Sequence, residues 1–74
     1  SRIAPALLQE SLKTLDKAQE LAPTDPKLTY NRALINEGLR NKELAITLMK
    51  KALQMKPNYD GARDQLKRIE STPN

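Results

Sequence analysis

Apolar residues recur along this chain at intervals of three and four, and prolines interrupt the stripes they form. Leu8, Ser11, Leu12, Leu15 and Ala18 line one side of a predicted helix. It starts between Ser1 and Pro5 and ends at Leu21 or Ala22, because a residue before proline avoids the helical region. Asp25-Pro26 reads as an N-cap followed by a first-turn proline. The helix it opens runs to Gly38 or Leu39, with Leu28, Leu34, Ile35 and Leu39 inward. Asn41 is placed to cap a third helix, and Glu43 suits its first turn. The inward set there is Leu44, Ala45, Leu48, Met49, Ala52 and Leu53, and Pro57 stops the helix. Asn58 is placed to cap a fourth, on which Tyr59, Ala62, Leu66 and Ile69 share one side; Ser71 to Asn74 reads as a frayed end. The connecting loops are short, which makes consecutive helices antiparallel neighbours. The pattern therefore predicts an all-α chain of four helices, each burying its stripe against the next, since none can bury it alone.

The stripes also repeat. Lys17-Ala18-x-x-Leu21-x-Pro23 returns 34 residues later as Lys51-Ala52-x-x-Met55-x-Pro57. Ser11 and Leu15 return as Ala45 and Met49, and Ile35 returns as Ile69. A fixed period in this range marks stacked supersecondary units, not an enzyme built around one cleft.

Small residue, large apolar residue four later, proline eight beyond: Ala45-x3-Met49-x7-Pro57 and, one period earlier, Ser11-x3-Leu15-x7-Pro23 both read this way, with Ala52 and Ala18 between. In these residues the chain resembles the tetratricopeptide repeat family. The resemblance implies antiparallel helical hairpins stacked as a short superhelix. It divides the chain into the second helix of a partial repeat (1–22), a full helix-turn-helix repeat (26–56), a closing helix (58–70) and a tail (71–74). The family's first-helix signature departs here. Thr29, Arg32, Ala33 and Asn36 stand at its aromatic, leucine, glycine and tyrosine positions, and only Ala33 keeps the size. An arginine buried there without a partner costs several kcal/mol. Arg32 must therefore reach water, pair with Asp16 or Glu37, or mark an altered packing face. Arg40 stands where the family's turn glycine falls, with Gly38 two residues earlier.

The resemblance further implies a non-catalytic scaffold that binds a peptide or a helix on a concave face. The matching positions are Lys27, Tyr30, Leu34 and Glu37, then Gly61, Asp64 and Arg68 on the last helix. Tyr30 is the best anchor, because an aromatic ring with a hydroxyl suits an interface. A shielding role in helix packing fits it equally well. Asn31 matches one asparagine of the carboxylate clamp that some members use. Gly61 and Gln65 occupy the positions of the basic pair that should follow, so no complete clamp is implied. The wording around Pro23 and Pro57 is also similar to repeat tails on bacterial membrane glycan polymerases and ligases, which makes an appendage of a larger enzyme the alternative.

Composition narrows this picture. The 74 residues contain no Cys and no His, so disulfides, thiolate chemistry and zinc-finger sites are excluded. Catalysis would fall to Ser, Lys, Tyr or carboxylates, and two glycines cannot form a phosphate-binding loop. No enzyme activity and no cofactor are expected. Asp60 and Asp64 are interleaved with Arg63 and Lys67, which reads as exposed charge pairing. The net charge of +4 sits entirely in residues 38–56: Arg40, Lys42, Lys50, Lys51 and Lys56 against Glu43. Such a helix can attract nucleic acid or an anionic surface, but two tyrosines on different helices are poor support for single-strand stacking, and a solvated face is the plainer reading. No apolar run approaches the ~20 residues that span a bilayer, and no signal peptide is visible. A soluble segment is expected, and the start at Ser1 reads as an excised piece or a tag remnant. A first helix without its family partner leaves an apolar edge, so homodimerisation of the fragment is a third possibility.

Overall fold

The computed structural model describes residues 5–73 and contains four helices: α1 (Pro5–Leu21), α2 (Pro26–Gly38), α3 (Lys42–Met55) and α4 (Asp60–Ser71). Each packs on the next along the chain, and the most extensive contact is between α2 and α3. The expected ends of α1 and α2 agree. A start of α1 before Pro5 lies outside the described residues, as does Asn74 of the tail. Asp25 caps α2 as expected, its carboxylate accepting from the Lys27 amide at 3.0 Å, with Pro26 in the first turn.

The core is small and centred on α3. Ala45, Leu48, Met49 and Ala52 are buried there with Ala33 of α2 and Ala62 and Ile69 of α4. Tyr30, Leu34, Ile46, Leu53, Tyr59 and Leu66 pack around this cluster. The alanines let backbones approach, and Met49 and Ile69 fill the space between them. Leu44, expected inward, is 47% exposed. The covered line runs through Ala45, Met49 and Ala52, and Leu44 stands about 100° off it around the helix. Ile46, left out of the expected inward set, packs against the core instead.

The turn between α2 and α3 is a Schellman closure. The Asn41 amide donates to the Asn36 carbonyl at 2.8 Å, and the Arg40 amide donates to the Glu37 carbonyl at 2.9 Å. Arg40 takes the left-handed conformation this motif requires, at φ 68°. A β-carbon in that region is disfavoured by about 1–2 kcal/mol, which is why glycine is usual. Gly38 serves a different need. A side chain there would bring its β-carbon to 3.2 Å from Leu8 Cδ1, so its absence lets α1 approach the end of α2.

Two expected caps are not formed. Asn41 precedes α3 but makes no side-chain cap. Its amide nitrogen donates to Asn36 Oδ1 at 3.4 Å instead. At α4 the residue before the helix is Tyr59, one position after Asn58, and it makes no side-chain cap either. The helix continues to Ser71, which the sequence placed in the frayed tail; Ser71 and Thr72 donate their hydroxyls to the Lys67 and Arg68 carbonyls.

Candidate interaction site

The departures from the family's first-helix pattern form a polar layer between helices. Thr29 is buried, and its hydroxyl donates to Gln19 Oε1 at 3.0 Å. Gln19 in turn donates to the carbonyls of Ala22 and Pro23, tying the first loop to α2. Asn36 is also buried, and its amide donates to the Arg32 carbonyl at 2.8 Å while its oxygen accepts from Asn41. Arg32 resolves in favour of Asp16: its Nε donates to Oδ1 at 2.8 Å, with the arginine side chain 26% exposed. Among the described residues no buried side-chain polar atom lacks a partner. Burying these groups is tolerable only because the layer is satisfied.

The candidate face lies where α2 meets α4. Tyr30 is half-buried and packs on the core, its ring 5.2 Å from that of Tyr59 at a tilt of 35°. The Lys56 ammonium stands 5.1 Å from the centre of the Tyr59 ring, a cation–π contact that locks the second proline turn onto the same cluster. Burial, and then the nearby Tyr30 and Asp25, push the Tyr59 phenol above its ordinary pKa. Gly61 faces both rings: a β-carbon there would lie in van der Waals contact, 3.8 Å from the Tyr30 hydroxyl and 3.8 Å from Tyr59 Cε1. Glu37 and Arg68 form a bidentate ion pair at 2.8 and 2.6 Å. Donating to the Glu37 carboxylate raises the arginine's pKa further. Arg68 also donates to Gln65 at 2.8 Å. Thus Tyr30 and Gly61, and Glu37 and Arg68, come together in pairs across α2 and α4. Lys27 and Asp64 are exposed at positions on the same two helices.

Leu34 has a second role. With Ile35 and Asn31 it lines a shallow groove whose other wall is Ser11, Thr14 and Leu15 of α1. The family's repeat positions on α1 are less covered than those on α3. Ser11 is exposed, and Leu15 and Ala18 are half-buried, whereas Ala33, Ala45, Met49 and Ala52 are fully inside. Pro23 and Pro57 are exposed in the turns that end α1 and α3.

The basic set of residues 38–56 is partly engaged within the chain. Lys42 donates to the Thr72 carbonyl, and Lys56 covers Tyr59. Arg63 pairs with Asp60 at 3.0 Å, the exposed pairing expected of that helix. No helix among the described residues is long and apolar enough to cross a membrane.

These features define a helical-hairpin repeat whose polar seam is satisfied among the described residues. Residues 26–59 match the tetratricopeptide repeat family model, spanning α2, α3 and the turn before α4. The match covers 34 of the 74 residues and is consistent with a tetratricopeptide repeat protein; such repeats generally mediate protein–protein interaction and are typically non-catalytic. No curated protein and no solved structure matches it.

Proposed function

We propose that this chain is a non-catalytic interaction module that holds a peptide or a helix of a protein partner against the face shared by α2 and α4. The observation that carries this is the cluster of Tyr30 and Tyr59 against Gly61, which brings an aromatic pair from α2 and the turn before α4 to one face. An amphipathic ring is held firmly by Tyr59 while its hydroxyl borders a position with no side chain. Lys27, Leu34 and Asp64 supply the surrounding charge and apolar surface, and Glu37–Arg68 forms a rim that an acidic ligand group can open by exchanging for Glu37. Within this reading, α1 is the second helix of a repeat that precedes residues 26–59, and α4 is a closing helix whose outer side is polar.

The test is selection of a displayed peptide library on the chain, followed by affinity measurement with two variants. Tyr30→Phe keeps the packing and removes the hydroxyl. Asp64→Arg reverses an exposed charge without touching the core. Each is expected to weaken the selected peptide several-fold with helicity unchanged. If both bind at full strength while Lys50→Glu with Lys51→Glu abolishes binding in a steeply salt-dependent manner, the basic side of α3 is the binding surface and this reading fails.

A further inference from the structure

A cavity of about 480 Å³ opens at the C-terminal ends of α2 and α4, where the α2–α3 turn faces Thr72 and Pro73. Its volume lies within the range of pockets that hold small molecules, roughly 300–1,000 Å³. Ile69, buried in the core, forms the floor, and Gly38 and Pro73 add apolar wall. Arg40 and Lys42 line the same space. The cavity is distinct from the face assigned above to peptide binding. Glu37 is the one residue they share, and it stands seven positions beyond Tyr30, about 10 Å further along α2.

The charges around this cavity do not cancel. Both oxygens of the Glu37 carboxylate already accept from Arg68. Arg32, Arg63 and Arg68 each hold a carboxylate. Arg40, alone of the four arginines among the described residues, makes no side-chain hydrogen bond or ion pair, so its five donors are unused. The Lys42 ammonium donates to a neutral acceptor, the Thr72 carbonyl, and keeps two further donors. Arg40 also holds the left-handed backbone, φ 68°, that glycine would take without strain. No polar contact of its side chain within the described residues offsets that strain. A strained position whose guanidinium borders a cavity and serves nothing inside the fold points to a ligand.

We propose that this cavity binds a small organic acid: a carboxylate carried on a compact apolar body. The planar Arg40 guanidinium matches a carboxylate with two parallel donors, and Lys42 adds a second positive charge. Ile69, Gly38 and Pro73 cover the apolar body. The bond from Lys42 to Thr72 holds Pro73 beside the same space, so the tail after α4 is part of the site. A neutral analogue leaves both cations without an acceptor, and a bare inorganic anion leaves the apolar wall wet. The inference does not rest on peptide binding at the α2–α4 face.

The probe is phenylacetate, titrated into the isotope-labelled 74-residue chain and followed by amide chemical shifts, beside phenylacetamide and inorganic phosphate. Saturable shifts are expected at Arg40, Lys42 and Ile69, with a Kd of about 1 mM. Phenylacetamide and phosphate should each bind about tenfold more weakly. Arg40→Gly separates binding from folding, because it relieves the left-handed turn. It should weaken phenylacetate about tenfold while the thermal melt holds or rises. Arg40→Lys keeps the charge on the same backbone but loses the fork, and should weaken binding several-fold. Absence of saturable shifts up to ~20 mM phenylacetate, equal affinity for phenylacetamide or phosphate, or full affinity in Arg40→Gly overturns the proposal. So do shifts centred on Tyr30 and Asp64 that Arg40→Gly leaves unchanged, since the acid would then sit on the α2–α4 face.

Discussion

α1 and α3 carry the same inward pattern and reach different fates. Ser11, Leu15 and Ala18 in α1 correspond to Ala45, Met49 and Ala52 in α3. The α3 set is completely buried, while Ser11 is exposed and the other two are half-covered. The cause is the number of neighbours. α3 is packed by α2 on one side and α4 on the other, and α1 is packed by α2. Leu7 and Leu21 consequently remain open, Leu21 at 86%. A stripe of apolar residues therefore states a capacity for burial, and the free energy is realised only where a second helix arrives. The stability of this small chain should be concentrated in α2, α3 and α4, with α1 the first element to fray.

The sharpest way to break the comparison is a charge placed at the equivalent alanines. Ala52→Asp buries a carboxylate in a site with no space and no partner, and should cost more than about 3 kcal/mol, enough to abolish the cooperative melt. Ala18→Asp, at the half-covered position, should cost about 1–2 kcal/mol and leave a folded chain. Circular dichroism melts of the two variants decide the matter, and equal losses would mean that α1 is as well covered as α3. Truncation of the large residues probes the same difference more gently. Met49→Ala is expected to cost about 2–5 kcal/mol by urea titration, and Leu15→Ala clearly less, because its cavity opens to water. The smallest effect should be a gain. Arg40→Gly relieves the left-handed backbone at the end of α2 and should raise stability by about 0.5–1 kcal/mol. A loss on that change would mean that the arginine side chain holds the turn through contacts of its own.

The polar layer sharpens the comparison further. Thr29, Arg32 and Asn36 stand where the tetratricopeptide repeat pattern carries large apolar groups, and their hydrogen bonds run largely to α1: Thr29 to Gln19, and Arg32 to Asp16. The thinly covered helix is thus held in part by directional bonds. Gln19→Leu leaves the Thr29 hydroxyl buried without its partner, and should cost about 1–2 kcal/mol, more than its partly exposed setting would suggest. A cost below about 0.3 kcal/mol in the same urea titration would show that Thr29 satisfies itself through the Asp25 carbonyl.

Much of this architecture was legible in the residues. The ends of α1 and α2, the Asp25 cap, the inward line through Ala45, Met49 and Ala52, and the side shared by Tyr59, Ala62, Leu66 and Ile69 all follow from period and punctuation, because these depend on neighbours within a few positions. Asp16 was one of two carboxylates within reach of Arg32, and only packing selected it. Asn41 and Asn58 looked like caps because their chemistry suits that role. Asn41 was diverted by Asn36, and the helix after Asn58 begins one residue later than it would with that cap. The candidate face was legible as a set of positions but not as pairs. That Glu37 is already claimed by Arg68, and that Tyr30 leans on Tyr59, depends on how α4 comes to lie beside α2.

The sequence by itself determined that the chain is helical, that it repeats every 34 residues, and where three of its helices stop, since propensity, period and proline act locally and need no fold to take effect. Only the tertiary structure decided which copy of the repeated stripe is buried, which polar groups satisfy one another, and that Arg40 must accept a left-handed turn. Those outcomes depend on which surfaces meet, and two stripes of matching pattern cannot reveal that one has two neighbours and the other has one.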